Sequence, residues 1–151
     1  MIRRFGERVV LGQKYTLRPG AYAVLHRAGS VLLTYQGHPE HEFQLPGGGI
    51  DPGEHILPAL HREILEETGW RVSGLRKIGA FRRFVFMPDY DIWAEKLCHV
   101  YAARPVRRLH PPTEPHHAEV WASFADAPAL IENAGDNHFL RRVLNGLRPA
   151  R

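Results

Sequence analysis

Cysteine is almost absent from this chain. Cys98 stands alone among 151 residues, so no internal disulfide can form and a disulfide-stapled secreted fold is excluded. A lone thiol fits a reducing compartment, and the cytoplasm is the expected location. Cys98 itself is expected to be a small apolar filler in a strand. Long apolar runs are missing too. The longest resemble AYAVL, far short of the roughly 20 residues of a bilayer-spanning helix. The opening MIRRFGERVV carries charges but no apolar stretch of signal-peptide length, so no membrane partner is expected. Nor is there a dense basic tract. Lys and Arg outnumber Asp and Glu by 20 to 16, for a net charge of +4. They fall in scattered pairs such as Arg3-Arg4, Arg82-Arg83, Arg107-Arg108 and Arg141-Arg142. That pattern favours small anionic partners over nucleic acid. The ten histidines include HPEHE and HPPTEPHH, which read as exposed loops without a zinc-type cysteine spacing.

What is present is the composition of a globular domain, 44% hydrophobic and 24% charged. The length suits a single domain over 1–151. GAYAVLHRAGSVLLTYQG predicts a hairpin turning at Arg27-Ala28-Gly29-Ser30. EFQLPGGGIDPGE reads as a Gly/Pro-rich connection, and HILPALHREILEETG as a helix. WRVSGLRKIGAFRRFVFM predicts a strand bent at Gly74 and Gly79. A loop at MPDYD and a strand over EKLCHVYAARPV follow. After the loop LHPPTEPHH, AEVWASF is a short strand. ADAPALIENAG and DNHFLRRVLNGL read as helices, with Asp136 or Asn137 as the second one's N-cap. Strands with few helices point to one mixed sheet covered by helices on its faces.

The helix before Gly69 has an unusual charge pattern. Leu57, Leu60, Ile64 and Thr68 form the stripe expected to face a core. Glu63, Glu66 and Glu67 share a neighbouring arc. Pro58 suits a first turn and Gly69 suits C′. Yet Glu66 and Glu67 sit in the last turn, where the helix dipole favours cations. Like-charged i,i+3 and i,i+4 neighbours add repulsion. Together these disfavour the helix by about 1–3 kcal/mol, a noticeable part of a domain's stability. One reading is a solvated acidic face, diluted by Arg62. The other is a hard-cation site, since carboxylates suit Mg²⁺ or Mn²⁺ that also hold phosphates. The adjoining LPGGGIDPGE favours the second. Gly47, Gly48 and Gly49 let the backbone approach a ligand closely.

From Gly48 the chain runs GGIDPGEHILPALHREILEETGW. This resembles the Nudix box, G-x5-E-x7-R-E-U-x-E-E-x-G-U, with U bulky and apolar. Gly48, Glu54, Arg62, Glu63, Glu66, Glu67 and Gly69 fill its seven fixed positions. Ile64 fills the first U. Trp70 fills the last with an aromatic side chain where an aliphatic one is usual. By residue frequencies alone, such a match arises by chance on the order of once in a million chains. LPGG before the box and EVWASFADAPAL after it are also similar to the family.

The resemblance implies an α/β/α sandwich, of the α/β (α+β) class, around a central mixed sheet. It implies metal-dependent hydrolysis of a pyrophosphate bond in a nucleoside diphosphate linked to another group, with Mg²⁺ or Mn²⁺ as cofactor. Glu63, Glu66, Glu67 and the Gly47 carbonyl are implied metal ligands. Glu54 and Arg62 are implied to pair and hold the loop against the helix. In-line attack on phosphorus needs a base for water. Glu63 and Glu66 are candidates within the box, and Glu114 and Glu119 beyond it. Arg18, Arg82 and Arg83 are candidate phosphate contacts, and His116 or His117 candidate substrate contacts. FRRFVFMPDYDIW interleaves basic and aromatic residues that can stack a base, or forms a half-buried strand. The substrate expected is a small nucleotide, in the manner of a MutT-like enzyme. The alternatives are an RNA 5′-end pyrophosphohydrolase and a non-hydrolytic nucleotide-sensing module or isomerase on the same fold. The sequence is silent on assembly, and a homodimer stays open.

Overall fold

The computed structural model describes residues 2–38 and 40–147. Its centre is a mixed sheet. Strand β7 (Ile92–Arg108) lies between β2 (Thr16–Arg27) and β6 (Trp70–Met87), parallel to the first and antiparallel to the second. β1 (Arg3–Arg4) adds in parallel to the outer edge of β6. On the other side of β2 the sheet forks. β2 pairs with β3 (Ser30–Gln36) only near the expected turn, over Leu25–Arg27. Nearer its start, Gly20–Tyr22 pairs with β5 (Gly47–Gly49). β3 diverges to pair with β4 (Glu42–Gln44), and β8 (His117–Ser123) flanks its other edge. The connection expected over 42–54 therefore contains two short strands. Neither has a local sequence signal, because each exists only through the partner it meets.

Strand pleating sorts the apolar residues onto two faces. Ala21, Ala23, Leu25, Tyr101 and Ala103 meet Leu60 and Ile64 of α1 (Ile56–Thr68). Val24, Val31, Phe81 and Val100 meet Phe139, Leu140 and Leu144 of α3 (Ala134–Leu147). Helices thus cover both faces of the sheet, the α+β layering expected. The bends in β6 appear as register shifts, including one spanning Gly74 and one at Gly79. Cys98 is buried in β7 as an apolar filler, and burial pushes its thiol up to about 12.

Three local expectations need correction. Leu57 was expected on the core stripe but is 43% exposed, and Ile56 packs against the α1-side core in its place. The helix over ADAPALIENAG shrinks to α2 (Ala127–Leu130), because Ile131 is extended. α3 begins at Ala134, ahead of the expected caps Asp136 and Asn137. Asn133 Oδ1 accepts the Asp136 N–H at 3.1 Å, which makes Asn133 the capping residue. Asn137 instead donates to the carbonyls of Pro128 and Ile131, at 2.7 and 2.9 Å, tying α2 to α3. Among the described residues no helix is long and apolar enough to cross a membrane.

Candidate active site

The fork between β2/β5 and β3/β4 opens a cleft of about 740 Å³. Its walls include Tyr22, Gln44 and Gly47–Gly49, and α1 presents Glu63, Glu66 and Glu67 to it. The helix can deliver its last turn there because both of its ends are anchored. Ala59 N–H bonds back to the His55 carbonyl at the start. At the end, Gly69 adopts φ 78° and returns its N–H to the Leu65 carbonyl at 2.8 Å. The strand of loop that follows β7 then seals the C-terminus. Thr113 and Glu114 N–H groups both donate to the Glu66 carbonyl at 2.8 Å, and Leu109 N–H to that of Gly69. Helix carbonyls that would be left without partners are satisfied in this way.

Arg62 organises the acidic face. Its Nε and Nη2 each donate to one oxygen of Glu54 at 2.9 Å, a bidentate pair. This joins the loop before α1 to the helix, as the two residues were expected to do. The hydrogen bond from Arg62 holds the Glu54 carboxyl down to about 2, and Glu54 in return raises Arg62. The remaining Nη1 lies 3.1 Å from Glu63 and 3.3 Å from Glu66. One guanidinium therefore holds three carboxylates in place and offsets the repulsion read from the sequence.

Glu67 stands apart. It is 4% exposed, and its polar contacts are a 3.4 Å hydrogen bond from Gly47 N–H and His117 Nδ1 at 3.8 Å. Burial, then the neighbouring Glu63, raise its pKa well above the usual carboxylate range. His117 is lowered by burial, so at neutral pH it is an uncharged imidazole. It shares a 2.9 Å hydrogen bond with Thr34 Oγ1 and does not neutralise Glu67. Burial likewise raises Glu63.

The cleft is also lined by Asp136, buried at the start of α3. Burial raises its carboxyl to about 7 despite Lys96, Arg83 and the Leu45 N–H, while Glu42 adds to the rise. In the unfolded chain the same group ionises near 3.8. Between these values the folded state holds the extra proton, so stability falls as pH rises towards 7. Asp136→Asn removes that ionisation. It is expected to raise the melting temperature at pH 8 by more than at pH 5. Equal gains at the two pH values would contradict this assignment.

The structure brings together most, not all, of the residues read from the sequence. Gly47, Glu63, Glu66, Glu67, Arg62 and Glu114 line the cleft, with Glu54 behind Arg62. Arg18 lines an adjoining chamber and lies over the Tyr90 ring, 4.7 Å from its centroid. Two candidates are corrected. Arg82 points to the opposite face of β6, where it pairs with Glu95 at 3.6 Å; of the pair Arg82-Arg83, it is Arg83 that lines the cleft. Glu119 lies outside the cleft, because Trp70 Nε1 and Arg108 hold its two oxygens at 2.7 and 2.6 Å. Of the two histidines His117 reaches the cleft, whereas His116 packs against His38. Lys96, Tyr22 and Asp136 were not foreseen. Alternation along EKLCHVYA puts Lys96 on the face of Cys98 and Val100, a signal that was available. Asp136 had none.

The donor set fits a hard divalent cation. It is all oxygen, and buried Glu67 has no cation of its own to balance its charged form. A Cβ on Gly48 would lie 2.6 Å from the Glu63 carboxyl carbon, so only glycine lets that carboxyl rest against the strand. Among the described residues no three His, Cys, Asp or Glu side chains already converge on one point. The reason is visible in Arg62, which draws Glu63 and Glu66 to itself while Glu67 turns to Gly47.

The fold is a layered α+β sheet-and-helix arrangement with a carboxylate-lined cleft at its fork. The NUDIX domain model matches residues 16–143, and the chain belongs to that family. A Bacillus subtilis (strain 168) protein to which 8-oxo-dGTP diphosphatase activity is ascribed is 34% identical over 74 residues, 49% of this chain and 50% of that protein. The RNA pyrophosphohydrolase of Pectobacterium carotovorum is 35% identical over 69 residues, 45% of this chain and 38% of that protein. The chain thus spans half or less of the length of these two relatives. The MutT protein of Bacillus halodurans superposes with a TM-score of 0.69 at 25% identity, covering 84% of this chain and 82% of that one. A NUDIX hydrolase from Nitrosomonas europaea reaches 0.71 at 19% identity, covering 88% and 92%, a likeness of fold.

Proposed function

We propose that the protein hydrolyses a pyrophosphate bond in a small nucleotide, with Mg²⁺ or Mn²⁺ held by Glu63, Glu66, Glu67 and the Gly47 carbonyl. The observation that carries this is the buried, unbalanced Glu67 beside Glu63 at the glycine strand. The activities ascribed to the relatives, both on phosphoanhydrides, support it. A bound divalent ion supplies charge neutralisation and polarises phosphoryl oxygens. The chain does the rest. β5 brings its backbone to the phosphates without side chains in the way. Arg62 sets the spacing of Glu63 and Glu66. A cleft carboxylate, Glu63, Glu66 or Glu114, accepts the proton of the attacking water. The proposed location is the cytoplasm, on the single unpaired and buried thiol.

The test is a screen against nucleoside triphosphates, ADP-ribose and diadenosine polyphosphates, with and without Mg²⁺. Turnover that needs the metal is expected. No turnover of any phosphoanhydride would sink the reading. A ligand set without its cation repels itself, so Mg²⁺ or Mn²⁺ is expected to raise the melting temperature. The rise should shrink in Glu67→Gln; an equal rise would remove Glu67 from the set. The similarity to an RNA pyrophosphohydrolase favours a second reading, action on RNA 5′ ends. A steep loss of RNA binding with salt would support it.

A further inference from the structure

Three cations stand in line across the floor of the cleft. Arg18 of β2 and Lys96 of β7 are direct cross-strand partners, and Lys96 is also the partner of Arg83 on β6. Registered neighbours present their side chains to the same face, and strands lie about 4.8 Å apart, so the row is about 10 Å long. That face is the cleft. Arg83 and Lys96 line the main chamber, and Arg18 and Lys96 line the side chamber that also contains Gly49, Glu63 and Tyr90. Lys96 thereby connects the two.

Like charges directly opposite one another on adjacent strands are unfavourable. Here there are two such contacts in succession, on half-buried side chains. Among the described residues none of the three has a carboxylate within ion-pair distance. The contrast with Arg82 is instructive: one residue away, on the other face, it has Glu95. Several acids share the two chambers, Glu42 and Asp51 among them, and among the described residues none makes an ion pair with the row. Glu63 is held by Arg62, and Asp136, whose carboxyl burial pushes up to about 7 against the pull of Lys96 and Arg83, carries only part of a charge at neutral pH. A self-repelling row that begins beside the catalytic carboxylates calls for an anion from outside the chain.

We infer that Arg18, Lys96 and Arg83 form a second anion subsite, holding the further phosphates of a chain of three or more. This rests on the hydrolase reading above and adds the substrate class to it. A linker of two phosphates between two sugars is satisfied at the carboxylate end and leaves the row without a partner. A 5′-triphosphate or longer chain fills both. Free nucleotides and RNA 5′ ends share that chemistry.

The test has a binding arm and a kinetic arm, on the parent, Lys96→Gln and Arg83→Gln. Calorimetry with inorganic tripolyphosphate, without divalent metal, is expected to show at least about tenfold weaker binding in each variant. With Mg²⁺, KM for a nucleoside triphosphate should rise about tenfold with little change in kcat, a larger loss than the same variants show on ADP-ribose. Melting temperatures should hold or rise, since repulsion is relieved. Unchanged tripolyphosphate binding, or equal losses on both substrates, would overturn the subsite. A 5′-triphosphorylated oligonucleotide run in parallel identifies the source by which substrate is turned over faster. Dependence on Lys96 is expected in whichever is used, and dependence in neither refutes the proposal. If nothing is hydrolysed, the hydrolase reading fails, while the tripolyphosphate arm still decides the row.

Discussion

Glu67→Gln is expected to lower kcat by about 10³-fold while melting no lower than the parent. The two halves of that result have one cause. Glu67 is a buried carboxylate whose neighbours are another carboxylate and an uncharged imidazole, and burial opposes its charged form. Glutamine keeps its shape and can still accept the Gly47 N–H through its amide oxygen. It removes only the charge. A residue kept for packing would tolerate this change in activity, whereas a residue kept as an anion would not. Loss of function with equal or greater stability is the mark of a group held ready at the fold's expense. Steady-state kinetics and thermal melts of the same preparation decide it. Full activity would show that the charge is unused. A clear drop in melting temperature would show that the carboxylate serves as a structural acceptor.

Gly69→Ala is expected to destabilise the protein by about 3–5 kcal/mol, among the larger effects of a single methyl group. Gly69 has φ 78°, where an L side chain is strained by about 1 kcal/mol. A Cβ there would also overlap the carbonyl oxygen of His110 and lie 2.8 Å from its carbon. Relief requires the loop after β7 to move, and that loop supplies the Thr113 and Glu114 N–H groups that bond to the Glu66 carbonyl. Strain and lost capping therefore act together. Gly53→Ala is the control: φ is 80°, yet nothing lies within 4 Å of the added carbon. Urea melts should show a loss of about 1 kcal/mol there. Similar losses at both positions would mean that backbone conformation alone, without the contact to His110, sets the effect.

What the sequence made legible was local. The hairpin, α1 with both its ends, and the acidic arc before Gly69 are written within stretches short enough for periodicity and capping residues to speak. The fork is not, since β4 and β5 become strands only by meeting β3 and β2. The choice between Arg82 and Arg83 shows the limit well. Strand alternation says that they face opposite ways, but not which way the cleft lies. The register shifts of β6 between Arg71 and Gly79 also break any parity counted from the start of the strand. Asn133 was hidden as a cap because Ile131, extended in the structure, reads as part of a helix. Asp136 looked like an ordinary capping residue, and only its enclosure by the sheet gives it a raised carboxyl. In each case the missing information was a contact distant in sequence.

The cross-strand line of Arg18, Lys96 and Arg83 has a consequence for how such a cleft can change over generations. Its facing depends on three strands keeping a common count of residues. One residue gained or lost within β7 ahead of Lys96 would turn the lysine to the opposite face, since pleating alternates sides at every step. The composition, the acidic helix and the net charge would hardly differ. Changes of length are therefore more disruptive to this floor than changes of side chain. The exception is the bulged part of β6, from Arg71 to Gly79, where the pairing already absorbs irregular counts. Divergence in length among descendants of this chain should gather there and in the connection after β7, and spare the straight run that keeps the cations aligned.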